Sequence, residues 1–275
     1  MPRTPRALLS SPTPSRRGAR ALDLSFPPRN ILLRSLPPGA LDLLGPHLER
    51  VQVHRDDVLV RPGVPFEHAW FPESGLASVV SESEDGHRAE VGAFGHDGMI
   101  STALVLGVDR TPHETFVQVG GIWARVPAEV LTRAMRHSPA LHGLLLRYVQ
   151  AFLTMLSRTA LANAGYTTEE RLARWLLVAH DRMDGDDLPL THGFLSLMLG
   201  VHRPGVTVAL HTLEGAGLIR AKRGLITVRD RGKLEDAAGG SYGVAEAEYE
   251  RLIGPFRKHG AGSVSPRPED AGTIG

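Results

Sequence analysis

The run from Leu190 to Gly217, LTHGFLSLMLGVHRPGVTVALHTLEGAG, constrains the fold more than any other stretch of the chain. Phe194, Leu195, Met198 and Leu199 recur at helical spacing behind Thr191, a residue type that caps helix N-termini. Val206, Leu210 and Leu213 repeat the pattern after Gly200-Val201-His202. This spacing predicts helix, short turn, helix. Gly200 stands where the chain must leave the first helix, and a residue without a Cβ takes the left-handed conformation there at least cost. Two short helices crossed at such a turn have the geometry that sets the second one in a DNA major groove.

Beyond Gly217, Leu218-Ile219-Arg220 and Leu225-Ile226-Thr227-Val228 read as two short strands joined by Ala221-Lys222-Arg223-Gly224, a basic wing beside the second helix. Between residues 203 and 233 stand seven basic residues, at positions 203, 220, 222, 223, 229, 231 and 233, against only Glu214 and Asp230. The whole chain carries a net charge of only +1, so its positive charge is concentrated where phosphates would lie. An ordinary helical hairpin with solvated arginines is the plainer reading of the helix pair alone. The wing and the local charge favour DNA binding.

The length of 275 residues allows two domains, and 42% hydrophobic with 22% charged residues is ordinary for a chain that buries its own core. With no cysteine there is no disulfide, thiolate zinc site, cysteine-ligated cluster or cysteine redox sensing in this chain. No apolar run is long enough to span a membrane, and the first 25 residues lack the uninterrupted apolar segment of a secretory signal, so a cytoplasmic location is expected. Residues 1–28, rich in Pro, Ser and Arg, read as a disordered arm.

From Asn30 the chain is helical in pieces. Between Val51 and Val126 it changes to short β segments: Val51–Val53, Val58–Val60, His68–Phe71, Leu76–Ser81, His87–Phe94, Thr115–Val119 and Ile122–Val126. Turns at Pro62-Gly63, Ser74-Gly75, Asp85-Gly86, Gly95 to Gly98 and Gly120-Gly121 set most of them apart. The pattern predicts an antiparallel β-roll or jelly roll over 29–137 that encloses a pocket. Ser138-Pro139 then opens a helix over 138–164. Leu141, Leu145, Tyr148, Phe152, Met155, Thr159 and Ala162 alternate gaps of four and three along it, the spacing of a coiled-coil seam. At 1.5 Å per residue the helix reaches roughly 40 Å, more than a roll needs to cover itself, and is expected to dimerise the chain. Thr167 and Glu170 form a capping box that opens the winged domain, 165–236. The extension 237–275 is expected to hold a short amphipathic helix, packed back on the winged domain, and to be mobile from Lys258.

The fold class is thus α+β: an N-terminal antiparallel roll, a long helix and a C-terminal winged helix-turn-helix. In that order of parts the chain resembles the Crp/Fnr family of bacterial transcription regulators. The likeness runs from about Asn30 to Glu235 and is most specific in GVHRPGVTVALHTLEGAGLIR, from Gly200 to Arg220. It implies a homodimer on a pseudo-palindromic duplex, with RNA polymerase as a further partner and a small-molecule effector possible. No cofactor and no enzymatic activity are expected. By the same likeness Arg203 takes the place of a recognition-helix arginine that reads a guanine edge. Thr207 and His211 lie on the same face and His202 begins the helix, while Thr191, His192, Arg220, Lys222 and Arg223 are placed as phosphate contacts.

Members of the family often begin this helix with Arg-Glu-Thr and carry a second arginine five residues on. Here Pro204, Gly205 and Val208 stand instead, so a different operator is expected. Nucleotide-binding members place a Glu after a glycine turn and an Arg-Ser pair further on. The corresponding stretches here, Gly98 to Ala103 and Asp109 to Glu114, lack the carboxylate and the serine, so the cyclic-AMP scheme is not expected, and Arg110 is left as the one candidate there for meeting an anion. Two other readings compete. One is a regulatory module acting through protein contacts. The other is a cupin-like metalloenzyme, which lacks the paired His-x-His and following Glu of that class; His68, His87, His96 and His113 are scattered instead.

Overall fold

The computed structural model describes residues 20–21 and 27–258. Of the arm expected over 1–28, Arg20–Ala21 (β1) pairs antiparallel with Arg50 and Glu49, which replaces the expected disorder at those two positions. The remainder of the arm outside residues 27–28, and the tail after Lys258, lie outside the described residues.

Two short helices, α1 (Ile31–Arg34) and α2 (Ala40–Leu44), precede the strands β2 (Glu49–Val53), β3 (Val58–Val60), β4 (His68–Pro72), β5 (Leu76–Glu82), β6 (Arg88–Phe94), β7 (Glu114–Val119) and β8 (Gly121–Pro127). All seven strands expected between 51 and 126 form. They build two four-stranded antiparallel sheets in the orders β1-β2-β8-β4 and β3-β7-β5-β6. The close turns depend on glycine. At Gly75 φ is +84°, and a Cβ would lie 2.3 Å from the carbonyl oxygen of Val119.

The inner faces meet over Val51, Trp70, Val79, Phe94, Ile100, Val117 and Trp123. Two indole rings and a phenyl ring fill the centre, and the roll keeps a cavity of about 260 Å³ beside Trp70, lined by Val58, Val60, Phe66 and His68. The outer face of the first sheet, through Ala69, Phe71, Ala124 and Val126, packs under the short helices and the start of the long one. Strands β4 and β8 are therefore buried on both faces.

Helix α3 (Ala128–His137) leads into α4 (Pro139–Gly165), whose Ser138 hydroxyl accepts from the Leu141 amide. The expected seam is corrected here. Leu141, Leu145, Tyr148, Met155 and Ala162 are buried within their own chain, and Phe152 stacks on Phe94 with ring centroids 4.8 Å apart. The opposite face is open. Gly143, Leu146, Gln150, Leu153, Ser157, Ala160 and Ala164 also alternate gaps of three and four, and Leu146, Leu153 and the flanking Leu161 are 41%, 49% and 45% exposed.

Helix α5 (Thr168–Arg182) begins with the expected capping box: the Thr167 hydroxyl accepts from the Glu170 amide, and the Glu170 carboxylate accepts from the Thr167 amide at 2.7 Å. The winged domain continues through β9 (Asp187–Leu188), α6 (His192–Leu199), α7 (Arg203–Gly215), β10 (Ile219–Lys222), β11 (Leu225–Val228) and α8 (Arg231–Ala238). Strand β9, which the sequence reading missed, pairs with β11 and makes the wing a three-stranded sheet.

The last helix, α9 (Val244–Leu252), corrects another expectation. It packs along α4, and Tyr249 and Phe256 enter the core beneath the roll rather than covering the winged domain. The segment binds both parts: Tyr249 donates to the Asp97 carbonyl in the roll, the Lys258 amide donates to the Asp181 carboxylate at the end of α5, and Tyr242 joins Asp181 at 2.5 Å. Among the described residues no single helix is long and apolar enough to cross a membrane.

Candidate nucleic-acid interface

Helices α6 and α7 turn through 101° at Gly200, whose φ of +59° is the left-handed conformation expected there. Phe194, Leu195, Met198 and Leu199 of the first helix are buried with Val206, Ala209, Leu210 and Leu213 of the second. The turn is held by polar contacts: Ser196 donates to the Val201 carbonyl, and Arg171 of α5 reaches the otherwise free Leu199 carbonyl at the end of α6. Thr191 caps α6 by accepting from the Phe194 amide at 3.3 Å. Pro204 lies in the first turn of α7, where no intrahelical donor is required of it.

One face of α7 and the wing enclose a cleft of about 780 Å³. Of the nine residues expected to meet DNA, seven line it: Thr191, His192, Arg203, Thr207, His211, Lys222 and Arg223. His202 and Arg220 are exposed but lie outside the lining. Arg203, Thr207 and His211 follow one another at single-turn intervals along the exposed helix face. The Thr207 hydroxyl donates to the Arg203 carbonyl at 3.1 Å and stands 3.4 Å from His192 Nδ1.

Three contributors escaped the sequence reading. A Cβ at Gly193 would lie 3.2 Å from Arg203 Nη2, so this glycine lets the guanidinium lie across the start of α6. Glu214, counted only as a negative charge, accepts from the Ala221 amide at 2.9 Å and ties the wing to α7. Arg171 holds the turn. None has a signal in periodicity or composition, since each acts through a neighbour distant in sequence.

The charge count also needs correction. Arg231 is buried and pairs with Asp181 at 2.8 Å and Glu235 at 2.8 Å, and Lys233 pairs with Asp230 at 3.1 Å. Both are thus engaged within the chain rather than free for phosphates. Arg203, Arg220, Lys222, Arg223 and Arg229 are exposed and, among the described residues, form no ion pair. In the roll, Arg110 is exposed and takes up Asp109 at 2.9 Å rather than presenting a free guanidinium. Among the described residues no group of three or more His, Asp or Glu is placed to hold a metal, so the metalloenzyme alternative finds no site.

The helix-turn-helix rests directly on the roll. Ser78 of β5 reaches Met198 Sδ at 3.8 Å, and Trp175 Nε1 of α5 donates to Glu90 Oε1 of β6 at 2.9 Å. Burial pushes the Glu90 carboxyl up to about 7, although bonds from Ser78 and Trp175 act in the opposite direction. A second link is the Arg182–Asp97 ion pair, 2.7 Å, with both side chains 5% exposed.

The chain thus places a β-roll, a long connecting helix and a winged helix-turn-helix in this order. Residues 170–237 match the model of the Crp-like helix-turn-helix domain. Similar solved structures include a Crp/Fnr-family regulator from Eubacterium rectale, 18% identical over 75% of this chain and 97% of that one with a TM-score of 0.59. FixK2 from Bradyrhizobium japonicum is 17% identical over 70% and 97%, with a TM-score of 0.60. A CRP-family regulator from Thermus thermophilus is 20% identical over 69% and 97%, with a TM-score of 0.58. No curated protein sequence matches the chain. The chain has the Crp/Fnr-type transcriptional regulator fold, with a Crp-like helix-turn-helix DNA-binding domain at 170–237. The first and the third of the solved structures named are described as transcriptional regulators.

Proposed function

We propose that this chain is a sequence-specific transcriptional regulator that binds a pseudo-palindromic operator as a homodimer. The observation that carries the reading is the cleft in which Arg203, Thr207 and His211 of α7 stand opposite Lys222 and Arg223 of the wing. A helix fits the major groove, and an arginine there pairs with the O6 and N7 acceptors of guanine. Thr191, His192, Lys222 and Arg223, with His202 and Arg220 at the margins, fix the position of the helix through phosphates and carry no sequence information. The acceptor of the protein's message is RNA polymerase. An effector, if bound, acts by favouring one arrangement of the two modules about the α4–α5 junction.

The division of roles is tested by two substitutions. Arg203→Ala is expected to relax preference at one base pair in each half-site, at roughly 1–3 kcal/mol per contact. Lys222→Ala is expected to weaken all sequences alike and to lower the slope of log affinity against log salt by about one. Equal effects of both on every sequence would contradict the assignment. Salt also separates DNA reading from a protein-binding winged helix, because an apolar protein interface lacks the steep salt dependence of counterion release.

The dimer is proposed to form through the open face of α4, with Leu146 and Leu153 as alternate anchors and Gly143, Ala160 and Ala164 allowing close approach. The Ser157 hydroxyl is already bonded to the Leu153 carbonyl at 2.9 Å, so it can be covered without loss. Leu153→Asp removes one apolar anchor from each protomer, at about 1.5–3 kcal/mol apiece, and should weaken dimerisation over a hundredfold. Sedimentation equilibrium measures this. An unchanged dimer would place the interface elsewhere.

A further inference from the structure

Helix α7 carries a second exposed strip beside the one that lines the cleft, formed by Pro204, Val208 and Thr212 at single-turn intervals. Val208 is 60% exposed and does not line the cleft with the wing. The core beneath α7 is served by Val206, Ala209, Leu210 and Leu213, so Val208 has no packing role. Nor does it strengthen the helix, since β-branched residues lose side-chain freedom there. Thr212 donates its hydroxyl to the Val208 carbonyl at 3.1 Å, so its side chain offers chiefly a methyl group. The polar strip of Arg203, Thr207 and His211 thus has an apolar strip running alongside it.

We propose that Val208 is a specificity-determining residue that reads the 5-methyl group of a pyrimidine. This rests on the reading of α7 as the element in the major groove. An isopropyl group neither donates nor accepts a hydrogen bond. Among the groups displayed in that groove, it discriminates only by contact with a methyl, and thymine presents one at C5 beside its O4 acceptor. Cytosine lacks that methyl unless it is modified, so 5-methylcytosine offers the same apolar surface. Pro204 and the Thr212 methyl flank Val208 and exclude water from the contact.

The experiment uses the purified full chain and a duplex selected by it from random-sequence DNA. Each thymine of a half-site is replaced in turn by deoxyuridine, which removes the methyl and leaves the base pairing intact. One position per half-site should lose about fourfold in affinity, the equivalent of ~0.8 kcal/mol for one buried methyl, and about fifteenfold when both half-sites are changed. Val208→Ala, at an exposed position, should make thymine and deoxyuridine equivalent there while keeping the guanine preference set by Arg203. A second arm places a C·G pair at that position with and without a 5-methyl group on the cytosine. A gain on methylation shows that the methyl itself is read, and a preference for thymine alone assigns the contact to thymine. The proposal is overturned if no thymine is sensitive to loss of its methyl, or if the sensitivity survives in Val208→Ala. Failure to bind any duplex would instead overturn the DNA-reading assignment.

Discussion

Arg182→Met is expected to destabilise the protein by about 3–5 kcal/mol, because it strands a buried carboxylate. Arg182 closes α5, and its guanidinium meets Asp97 in the loop after β6 at 2.7 Å with both side chains almost wholly out of water. It also donates to the Val178 carbonyl at 2.9 Å and lies over the Phe256 ring, 5.5 Å from the centroid. The loop is shaped around it: a Cβ at Gly95 would lie 2.5 Å from the Arg182 side chain. The penalty arises mainly from the unpaired Asp97, so the double variant Asp97→Asn with Arg182→Met should recover 1 kcal/mol or more of the loss, roughly the scale of coupling between direct neighbours. Chemical denaturation of the two single variants and the double one measures this coupling. Additive losses would show that the pair is not a unit. The pair joins the winged domain to the roll, so the single variants should also weaken DNA binding.

The second large effect is expected from pH. Glu90 ionises at about 7 when buried, against an ordinary value of 4.5 in an exposed chain. The folded form therefore holds this proton more tightly than the unfolded one, and folding is favoured at low pH in respect of this group. That contribution is present below about 4.5, declines as pH rises towards 7 and is gone above it; its full size corresponds to about 3 kcal/mol. Glutamine at position 90 keeps an oxygen to accept the Trp175 indole N–H and has no charge to bury. Glu90→Gln should thus be more stable than the parent at pH 8 and nearly equal to it at pH 4, as read from unfolding midpoints. A variant no more stable than the parent at pH 8 would show that Glu90 stays ionised at little cost. The carboxyl lies between β6 and α5, close to Met198 of α6.

Much of this architecture is legible from local chemistry. Thr191, Gly200 and the Thr167–Glu170 box act within a turn of their own positions, and a short-range pattern announces them. Most of the strands between 51 and 126 are bounded by turns with glycine, such as those at Gly75 and Gly86. The face of α4 was not legible. Two stripes of the helix share a coiled-coil spacing, and which of them faces its own roll depends on Phe94 and on Tyr249, which lies about a hundred residues further on. The aromatic side chains, Tyr148 and Phe152, mark the stripe that serves the chain's own core, while Gly143, Ala160 and Ala164 fall on the open one. Charge misled in the same way. Arg231 counts as a cation in sequence, and its engagement by Asp181, fifty residues away, is visible only in three dimensions. The two-residue strand β9 and the path of α9 depend on distant partners and leave no periodic trace.

Selection of random-sequence duplexes by the purified chain tests the central claim most directly, because it reads binding, symmetry and spacing together. The account predicts enrichment of two inverted half-sites centred about 10 base pairs apart, each with a guanine whose preference disappears in Arg203→Ala. Recovery of no common sequence, or of a site without two-fold symmetry that Arg203→Ala leaves unchanged, would contradict it.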